Sequence, residues 1–510
     1  MTPLSFDIRI AAAERLLVDI REFQVPRNRI TFLFGESGIG KSLIARSIYG
    51  LLDPEEFTIA INGDTYDSYL KRPETREIRG NGFFVFQEPS SHLNPLLPLG
   101  KQLREGTLSQ APNEWDILSD LWKLRSSRVD PTEIGKLLEV YPKPHRPSGG
   151  EKQRMFLAMA LMKIDLILQA GKAHHNTLFV FDEPTGSLDN HYRDVFLSLL
   201  FKRFQHHQFT ILLITHDYSM ISVVTGSHKA FLDKVSFREL RRSHERLEMK
   251  EFKAETYIGW LKKRSMGNQA RRPPTSAPPL LRLESEAVAF GRQLNISRDP
   301  AGREACPLEV FPGTIVYLKA PSGEGKTTLM KMMMGLIQGE RLRLTVGSTV
   351  LTEQTPGSFW REHIWGKRMT MVFQHADEAL NPRSKVKEIF HGLPTQKRTT
   401  IEEIKRQLKE LFDEEMSDEF LNKPVTALSG GQKQRLNLLR GLDLETEILF
   451  LDEPLSGLDF DSTTRVLTLL EEKRRAGRGI LIVSHNEEII STIIHDEDIY
   501  YLHSRRAAVV

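Results

Sequence analysis

Five short motifs occur twice in this chain, in the same order and at almost the same spacing. GESGIGKS (35–42) returns as APSGEGKT (320–327), FVFQEPSSHLNP (84–95) as MVFQHADEALNP (371–382), and PSGGEKQR (147–154) as LSGGQKQR (428–435). FVFDEPTGSLD (179–189) returns as LFLDEPLSGLD (449–459), and LLITHD (212–217) as LIVSHN (481–486). The offsets are 285 for Lys41/Lys326, 287 for Gln87/Gln374, 281 for Ser148/Ser429, 270 for Glu183/Glu453 and 269 for His216/His485. Five ordered matches at nearly constant offset specify a duplicated domain, so both halves must reach the same architecture. The fall from 281 to 270 places 11 extra residues, LILQAGKAHHN, between the SGG motif and the acidic pair of the first half. Between the copies, RSMGNQARRPPTSAPP (264–279) is rich in Pro, Ser and Arg and reads as an extended, semi-rigid connection. The division that follows is a first domain over 1–262, a linker over 263–279 and a second domain over 280–510.

The apolar runs set the fold class. ITFLF (30–34) and TIVYL (314–318) lead into glycine loops, and SLIARSIYGLL and TTLMKMMMGLI follow with helical patterning. Strand, GxxxxGK[ST], helix is the P-loop context. TLFVF, TILLI, EILFL and GILIV are short and dominated by consecutive apolar residues, as buried parallel strands are, and such strands need helices on both faces. The stretches Gln87 to Ser148 and Gln374 to Ser429 are charged and helical in pattern. The expected fold is α/β: two P-loop NTPase domains in tandem, each a mainly parallel sheet core with a helical subdomain. Met330, Met332, Met333 and Met334 read as core filler on the second P-loop helix.

Composition removes several function classes. No apolar run approaches the roughly 18 residues of a membrane span. A net charge of +3 supplies no field for nucleic acid. The opening MTPLSFDIRI carries Asp7 and Arg9 and has no signal-peptide core. A single cysteine, Cys306, rules out an internal disulfide framework, a thiolate zinc site or an iron–sulfur cluster and fits a reducing cytosol. His174-His175 and His206-His207 have no carboxylate or cysteine companions nearby and read as surface loops. RRSHERLEMKEFK (241–253), with Glu interleaved among its cations, reads as a solvated helix face.

The motifs carry phosphate chemistry. In a P-loop, successive N–H groups and a helix N-terminus wrap phosphates, and glycines let the backbone approach. Gly35, Ser37, Gly38 and Gly40 form the first such loop, and Ser322, Gly323 and Gly325 the second. Lys41 and Lys326 would reach the β/γ-phosphates, and Ser42 and Thr327 would ligate Mg²⁺. The second loop begins with Ala320 in place of Gly, which is tolerable only if that residue has φ < 0. Asp182 and Asp452 end apolar strands, where a carboxylate can hold Mg²⁺ through water. Glu183 and Glu453 stand one residue nearer the γ-phosphate and suit a base that polarises the attacking water. His216 and His485 follow another apolar strand each, placed to orient that water. Ser148-Gly149-Gly150 and Ser429-Gly430-Gly431 read as helix N-termini, which attract anions. Each P-loop already encloses the phosphate of its own domain, leaving these termini to serve the other domain's ATP.

Taken together, P-loop, Q-loop glutamine, LSGGQ-type signature, acidic pair, SLD/GLD D-loop and switch histidine resemble the ATP-binding cassette (ABC) superfamily over both halves. The resemblance implies a head-to-tail pair. ATP at Lys41, Ser42, Gln87, Asp182, Glu183 and His216 would be capped by Ser429, Gly431 and Gln432. ATP at Lys326, Thr327, Gln374, Asp452, Glu453 and His485 would be capped by Ser148, Gly150 and Glu151. It adds Gln87 and Gln374 to the Mg²⁺ environment, and it sets Asp189 and Asp459 across the interface. An adenine-stacking aromatic is placed at Phe290 in VAFGR, with Phe6 as the candidate in the first domain. The shared L-N-P after each Q-loop is similar to the ATPases of oligopeptide, dipeptide and nickel importers, and TYIGWLKKR (256–264) faintly echoes their tail. That similarity implies an ATPase on the cytoplasmic face of the inner membrane, docked on two permease subunits and served by an extracytoplasmic solute-binding protein, with no nucleic acid. The rival reading is a soluble ATPase that assembles or activates another protein. Departures from the motifs cluster: Ala320, Pro147 and Glu151 all fall in the composite site of Lys326. Both sites are therefore expected to hydrolyse ATP, with weaker capture at the Lys326 site.

Overall fold

A computed structural model describes residues 2–13, 15–88, 92–94, 96–105, 114–122, 131–139, 149–169, 177–186, 188–243, 246–267, 277–321, 323–393, 400–412 and 417–506. The chain forms two compact units, Met1–Ile258 and Gly259–Val510.

In the first unit the strands are β1 (Leu4–Ala12), β2 (Arg15–Val25), β3 (Ile30–Phe34), β4 (Thr58–Ile61), β5 (Asp64–Thr65), β6 (Phe83–Val85), β7 (Leu178–Asp182), β8 (Thr210–Ile214), β9 (Val235–Ser243) and β10 (Arg246–Glu251). They join in the order β5-β4-β1-β2-β10-β9-β3-β8-β7-β6. The stretch β9-β3-β8-β7-β6 is parallel throughout. Every residue of β3, β7 and β8 is buried, as continuous apolar strands covered on both faces must be. The P-loop helix Lys41–Tyr49 sinks Ile44, Ala45 and Ile48 into the same core as Leu33, Val180, Leu212 and Ile214.

The second unit repeats this plan with β11 (Leu281–Leu283), β12 (Glu286–Ala289), β13 (Arg292–Ser297), β14 (Leu308–Val310), β15 (Ile315–Lys319), β16 (Arg343–Val346), β17 (Thr349–Thr352), β18 (Met369–Val372), β19 (Ile448–Asp452), β20 (Gly479–Val483) and β21 (Ile499–Arg506). Its core order is β21-β15-β20-β19-β18, again parallel, and it matches the first unit strand for strand. Here β11, β14, β16 and β17 form a separate four-stranded sheet. The four methionines of the P-loop segment are buried core, as their pattern suggests. Helices occupy both stretches between glutamine and signature: Leu99–Leu103, Glu114–Trp122 and Pro131–Glu139 in the first, Ile401–Leu411 and Asp418–Asn422 in the second.

Three details depart from or refine the sequence reading. Residues 241–253 are not a helix face: they finish β9 and form β10, paired antiparallel. The register sets Glu248 opposite Arg241 and Lys250 opposite Glu239, while the ion pairs run along the strands, Lys250 with Glu248 at 2.9 Å and Arg241 with Glu239 at 2.5 Å. The extra residues of the first half lengthen the signature helix, which runs Gly149–Gln169 over 21 residues against 14 for Gly430–Asp443. Residues 263–267 continue the helix Ala254–Gly267, while 268–276, the middle of the Pro-rich segment, lie outside the described residues.

Candidate active sites

Each P-loop follows an interior strand of its parallel core, β3 in the first unit and β15 in the second. In the first, Gly35, Gly38 and Gly40 have φ of 142°, 80° and 117°, conformations that favour glycine. Gly35 is doubly required, because a Cβ there would lie 2.7 Å from the Leu240 carbonyl oxygen of β9. Gly323 and Gly325 share the left-handed torsions in the second loop. Ala320 lies outside the positive-φ region, so its methyl meets the condition set by the sequence. Ser37 sits in the first loop, and Ser322 lies outside the described residues. Both P-loop helices start from a glycine without a side-chain cap, leaving N–H groups directed at the loop. Lys41 and Lys326 are buried and donate to the loop's own carbonyls: Lys41 Nζ to Gly35 and Glu36 oxygens at 2.6 and 2.9 Å, Lys326 Nζ to Ala320 and Pro321 oxygens at 2.7 and 3.1 Å.

Across the parallel core, Asp182 ends β7 and Asp452 ends β19, both buried. Ser42 Oγ donates to Asp182 Oδ1 at 2.8 Å. Burial pushes Asp182 up to about 6 although the Ser42 hydrogen bond pulls the other way. Asp452 is also raised by burial, with the Thr327 hydroxyl opposing. Asp182 Oδ2 and both Asp452 oxygens are buried without a hydrogen bond of ordinary geometry among the described residues. A hydroxyl beside an unsatisfied buried carboxylate is the hard-oxygen donor set that suits Mg²⁺. Gln87 and Gln374 follow β6 and β18 at the same end of the sheets and are exposed.

The next residue is unusual in its backbone. Glu183 and Glu453 have φ of 48° and 50°, among the few described non-glycine residues with positive φ. Such torsions cost on the order of 1–3 kcal/mol and persist where surroundings enforce them. Here the N–H of each glutamate is held by the neighbouring strand, Glu183 to the Ile214 carbonyl at 3.0 Å and Glu453 to that of Val483 at 2.9 Å. Sequence offered one signal for this, the proline that follows each, which disfavours αR in the residue before it.

The switch histidines reach these glutamates differently. His216 Nδ1 lies 2.9 Å from Glu183 Oε2. Burial pushes Glu183 up, but the His216 charge and hydrogen bond outweigh it and hold the carboxyl below its usual range. Burial likewise opposes protonation of His216, and Glu183 overcomes it, so the imidazole is raised. In the second unit His485 Nε2 stands 3.4 Å from Glu453 Oε1, and Glu453 Oε2 accepts from Ser484 Oγ at 3.2 Å and the His485 N–H at 3.0 Å. Burial prevails there and raises Glu453 to about 7.

The signatures begin helices as expected. Ser429 caps Gly430–Asp443: its Oγ accepts from the Gln432 N–H at 3.1 Å, and Gln432 Oε1 accepts from the Ser429 N–H at 3.0 Å. Gly430 and Gly431 form the first turn. Gly149, Gly150 and Glu151 open the other helix, while Ser148 and Pro147 lie outside the described residues. Glutamate serves the third position of a capping box as well as glutamine does, so Glu151 is compatible with this helix start. Asp189 and Asp459 cap the helices Asn190–His206 and Phe460–Arg475.

The base-stacking candidates separate. Phe290 is 74% exposed at the two-residue turn between β12 and β13, and Arg292 Nη1 donates to the Gly323 carbonyl at 3.4 Å beside the P-loop. Phe6, however, is buried inside β1 with the core of its unit, where its alternating position faces the apolar layer, so it cannot meet a base. The residue at the turn between β1 and β2 that corresponds to Phe290 is Ala13: φ is 50° at Ala13 and 51° at Phe290, and Ala12 pairs with Arg15 as Ala289 pairs with Arg292.

Residues 18–186 and 304–456 match the family model described as ABC transporter. The chain belongs to this family. It is an ABC ATPase, and ATP is its nucleotide. It is 28% identical over 96% of its length, and 92% of the relative, to "Uncharacterized ABC transporter ATP-binding protein YejF" of Escherichia coli strain K12. It is 27% identical to "Peptidoglycan transport ATP-binding protein YejF" of Agrobacterium fabrum, covering 97% of this chain and 89% of that one. "Glutathione import ATP-binding protein GsiA" of E. coli O157:H7 is 24% identical, over 97% and 82% of the two chains. Among solved structures, "RNase-L Inhibitor" superposes with a TM-score of 0.57 at 16% identity over 98% of this chain and 90% of that one, a likeness of fold. No helix among the described residues is long and apolar enough to cross a membrane.

Proposed function

We propose that this chain is the ATP-hydrolysing motor of an importer, acting on the cytoplasmic face of the inner membrane through two permease subunits and an extracytoplasmic solute-binding protein. Support for import comes from relatives named for peptidoglycan transport and glutathione import. Both those solutes contain peptide bonds, which favours a peptide or peptide-like cargo over nickel. The soluble-assembly alternative has no specific observation behind it.

The observation that carries the hydrolytic reading is the repeated cluster of buried P-loop lysine, buried aspartate, and positive-φ glutamate paired with a histidine. ATP would draw Lys41 or Lys326 off the loop carbonyls and onto its phosphates. Ser42 with Asp182, and Thr327 with Asp452, would hold Mg²⁺, whose charge neutralises the phosphate oxygens; Gln87 and Gln374 complete those surroundings. Glu183 and Glu453 would accept a proton from the attacking water, and His216 and His485 would keep it in line. Each ATP would be closed by the other unit's signature: Ser429, Gly431 and Gln432 on the Lys41 site, Ser148, Gly150 and Glu151 on the Lys326 site.

The transport reading is tested by cross-linking in membranes from 88–97 and 375–384, the segments after the Q-loop glutamines. Adducts to two integral membrane proteins are expected. Exclusive adducts to a soluble enzyme or to ribosomal protein would contradict it.

A further inference from the structure

The two histidine loops are built on different supports. In the first unit the helix after the D-loop carries Arg193, four residues beyond its capping Asp189. This guanidinium is buried, with only 8% of the side chain exposed, and Nη1 donates to Asp217 Oδ2 at 2.9 Å and to Ser219 Oγ. Its Nε donates to Asp194 Oδ1 at 2.9 Å. Asp217 directly follows His216. Its other oxygen accepts from the Ser219 N–H at 3.0 Å, and its own N–H donates to Thr215 Oγ1 at 3.0 Å. A charged, multiply hydrogen-bonded tie thus joins the D-loop helix to the backbone that carries the histidine. The line continues on its other side, because Arg154 of the signature helix lies 4.1 Å from the ring of Tyr192, the residue before Arg193.

In the second unit the line stops short. Arg435 of its signature helix reaches the equivalent of Tyr192, donating to Ser462 Oγ at 2.8 Å. The residue four beyond the capping Asp459 is Thr463, and the residue after His485 is Asn486. Neither carries a charge, so no ion pair can form there. His216 Nδ1 lies 2.9 Å from Glu183 Oε2, and His485 Nε2, on the loop that lacks this ion pair, lies 3.4 Å from Glu453 Oε1.

We propose that Arg193, through Asp217, is a positioning residue for His216 that serves the Lys41 site alone. The proposal rests on the reading of Glu183 and Glu453 as the groups that activate water. Removing the arginine alone would strand a mostly buried carboxylate, so the paired variant Arg193→Met/Asp217→Asn, which removes both charges, accompanies Arg193→Met.

The experiment is single-turnover ADP formation across ATP concentrations in the full chain, in Glu453→Gln and Glu183→Gln backgrounds. With Glu453→Gln, where only the Lys41 site turns over, both variants should lower the maximal rate about five- to tenfold at unchanged half-saturating ATP, Arg193→Lys should recover most of it, and the double variant should lose no more than Arg193→Met. With Glu183→Gln, none should change the rate. Equal losses in the two backgrounds, or a loss seen only as weaker ATP saturation, would overturn the positioning role while leaving the glutamates' role standing. Wild-type rates in both glutamine backgrounds would overturn the hydrolytic reading and the proposal with it.

Discussion

The two nucleotide sites share their backbone and differ in what holds it. β7 and β19 end alike, in a buried aspartate followed by a glutamate at φ near 50°. Yet Glu183, despite its burial, is drawn below the usual carboxyl range by the His216 imidazole at 2.9 Å, while Glu453, 3.4 Å from the His485 ring and bonded to the His485 N–H, is raised by burial to about 7. The two units keep the same acidic pair and histidine, while the residues that support them differ. Shared motif atoms are thus held differently, by Asp217 at the end of one histidine motif where the other has Asn486, and by Arg193 four residues past Asp189 where the second unit has Thr463.

The largest effects should be those that ignore the difference. Lys41→Ala together with Lys326→Ala removes a donor to developing charge from both sites, worth roughly 10²–10³ each at such positions, so steady-state ATPase activity should fall at least about a hundredfold. Retained turnover in that double variant would break the assignment of both loops. A smaller effect should separate the halves at the base. Phe290→Ala removes a stacking platform worth about 0.5–1.5 kcal/mol, and half-saturating ATP at the Lys326 site, read in a Glu183→Gln background, should rise about twofold to twelvefold. Ala13→Leu should leave the Lys41 site within error; an equal rise there would show that the two hairpins do not differ in this role. The smallest effects concern the loops' first residues. Gly35→Ala imposes a strained torsion and a contact with the Leu240 oxygen, and should destabilise by about 1–3 kcal/mol. Ala320→Gly should change the melting temperature by no more than about 2 °C. Equal shifts for the two would contradict the torsions described.

Much of this was legible in the sequence. Buried parallel strands are uninterrupted apolar runs, so β3, β7, β8 and their partners β15, β19, β20 could be read directly, and the glycine loops followed from them. The β9–β10 hairpin was not legible as strand, because alternating Arg and Glu satisfy either a helix surface or a cross-strand ladder and only the partner decides. Phe6 offered an aromatic in a plausible place, but its facing in β1 is set by register against β2. The positive φ of Glu183 and Glu453 was hinted at only by the following proline. The Arg193–Asp217 tie joins residues 24 apart on two elements, which no local pattern could pair.

Both sites are proposed to hydrolyse ATP unequally, with capture weaker where Ala320, Pro147 and Glu151 depart from the motifs. This is tested most directly by comparing Glu183→Gln with Glu453→Gln for residual turnover and for ATP retained after rapid removal of free nucleotide. Each substitution removes the proposed general base, a role worth about 10²–10⁴, while keeping size and shape. Glu183→Gln should lose more turnover and trap its ATP for longer at the Lys41 site. Longer retention at the Lys326 site in Glu453→Gln, or wild-type turnover in Glu183→Gln, would contradict it.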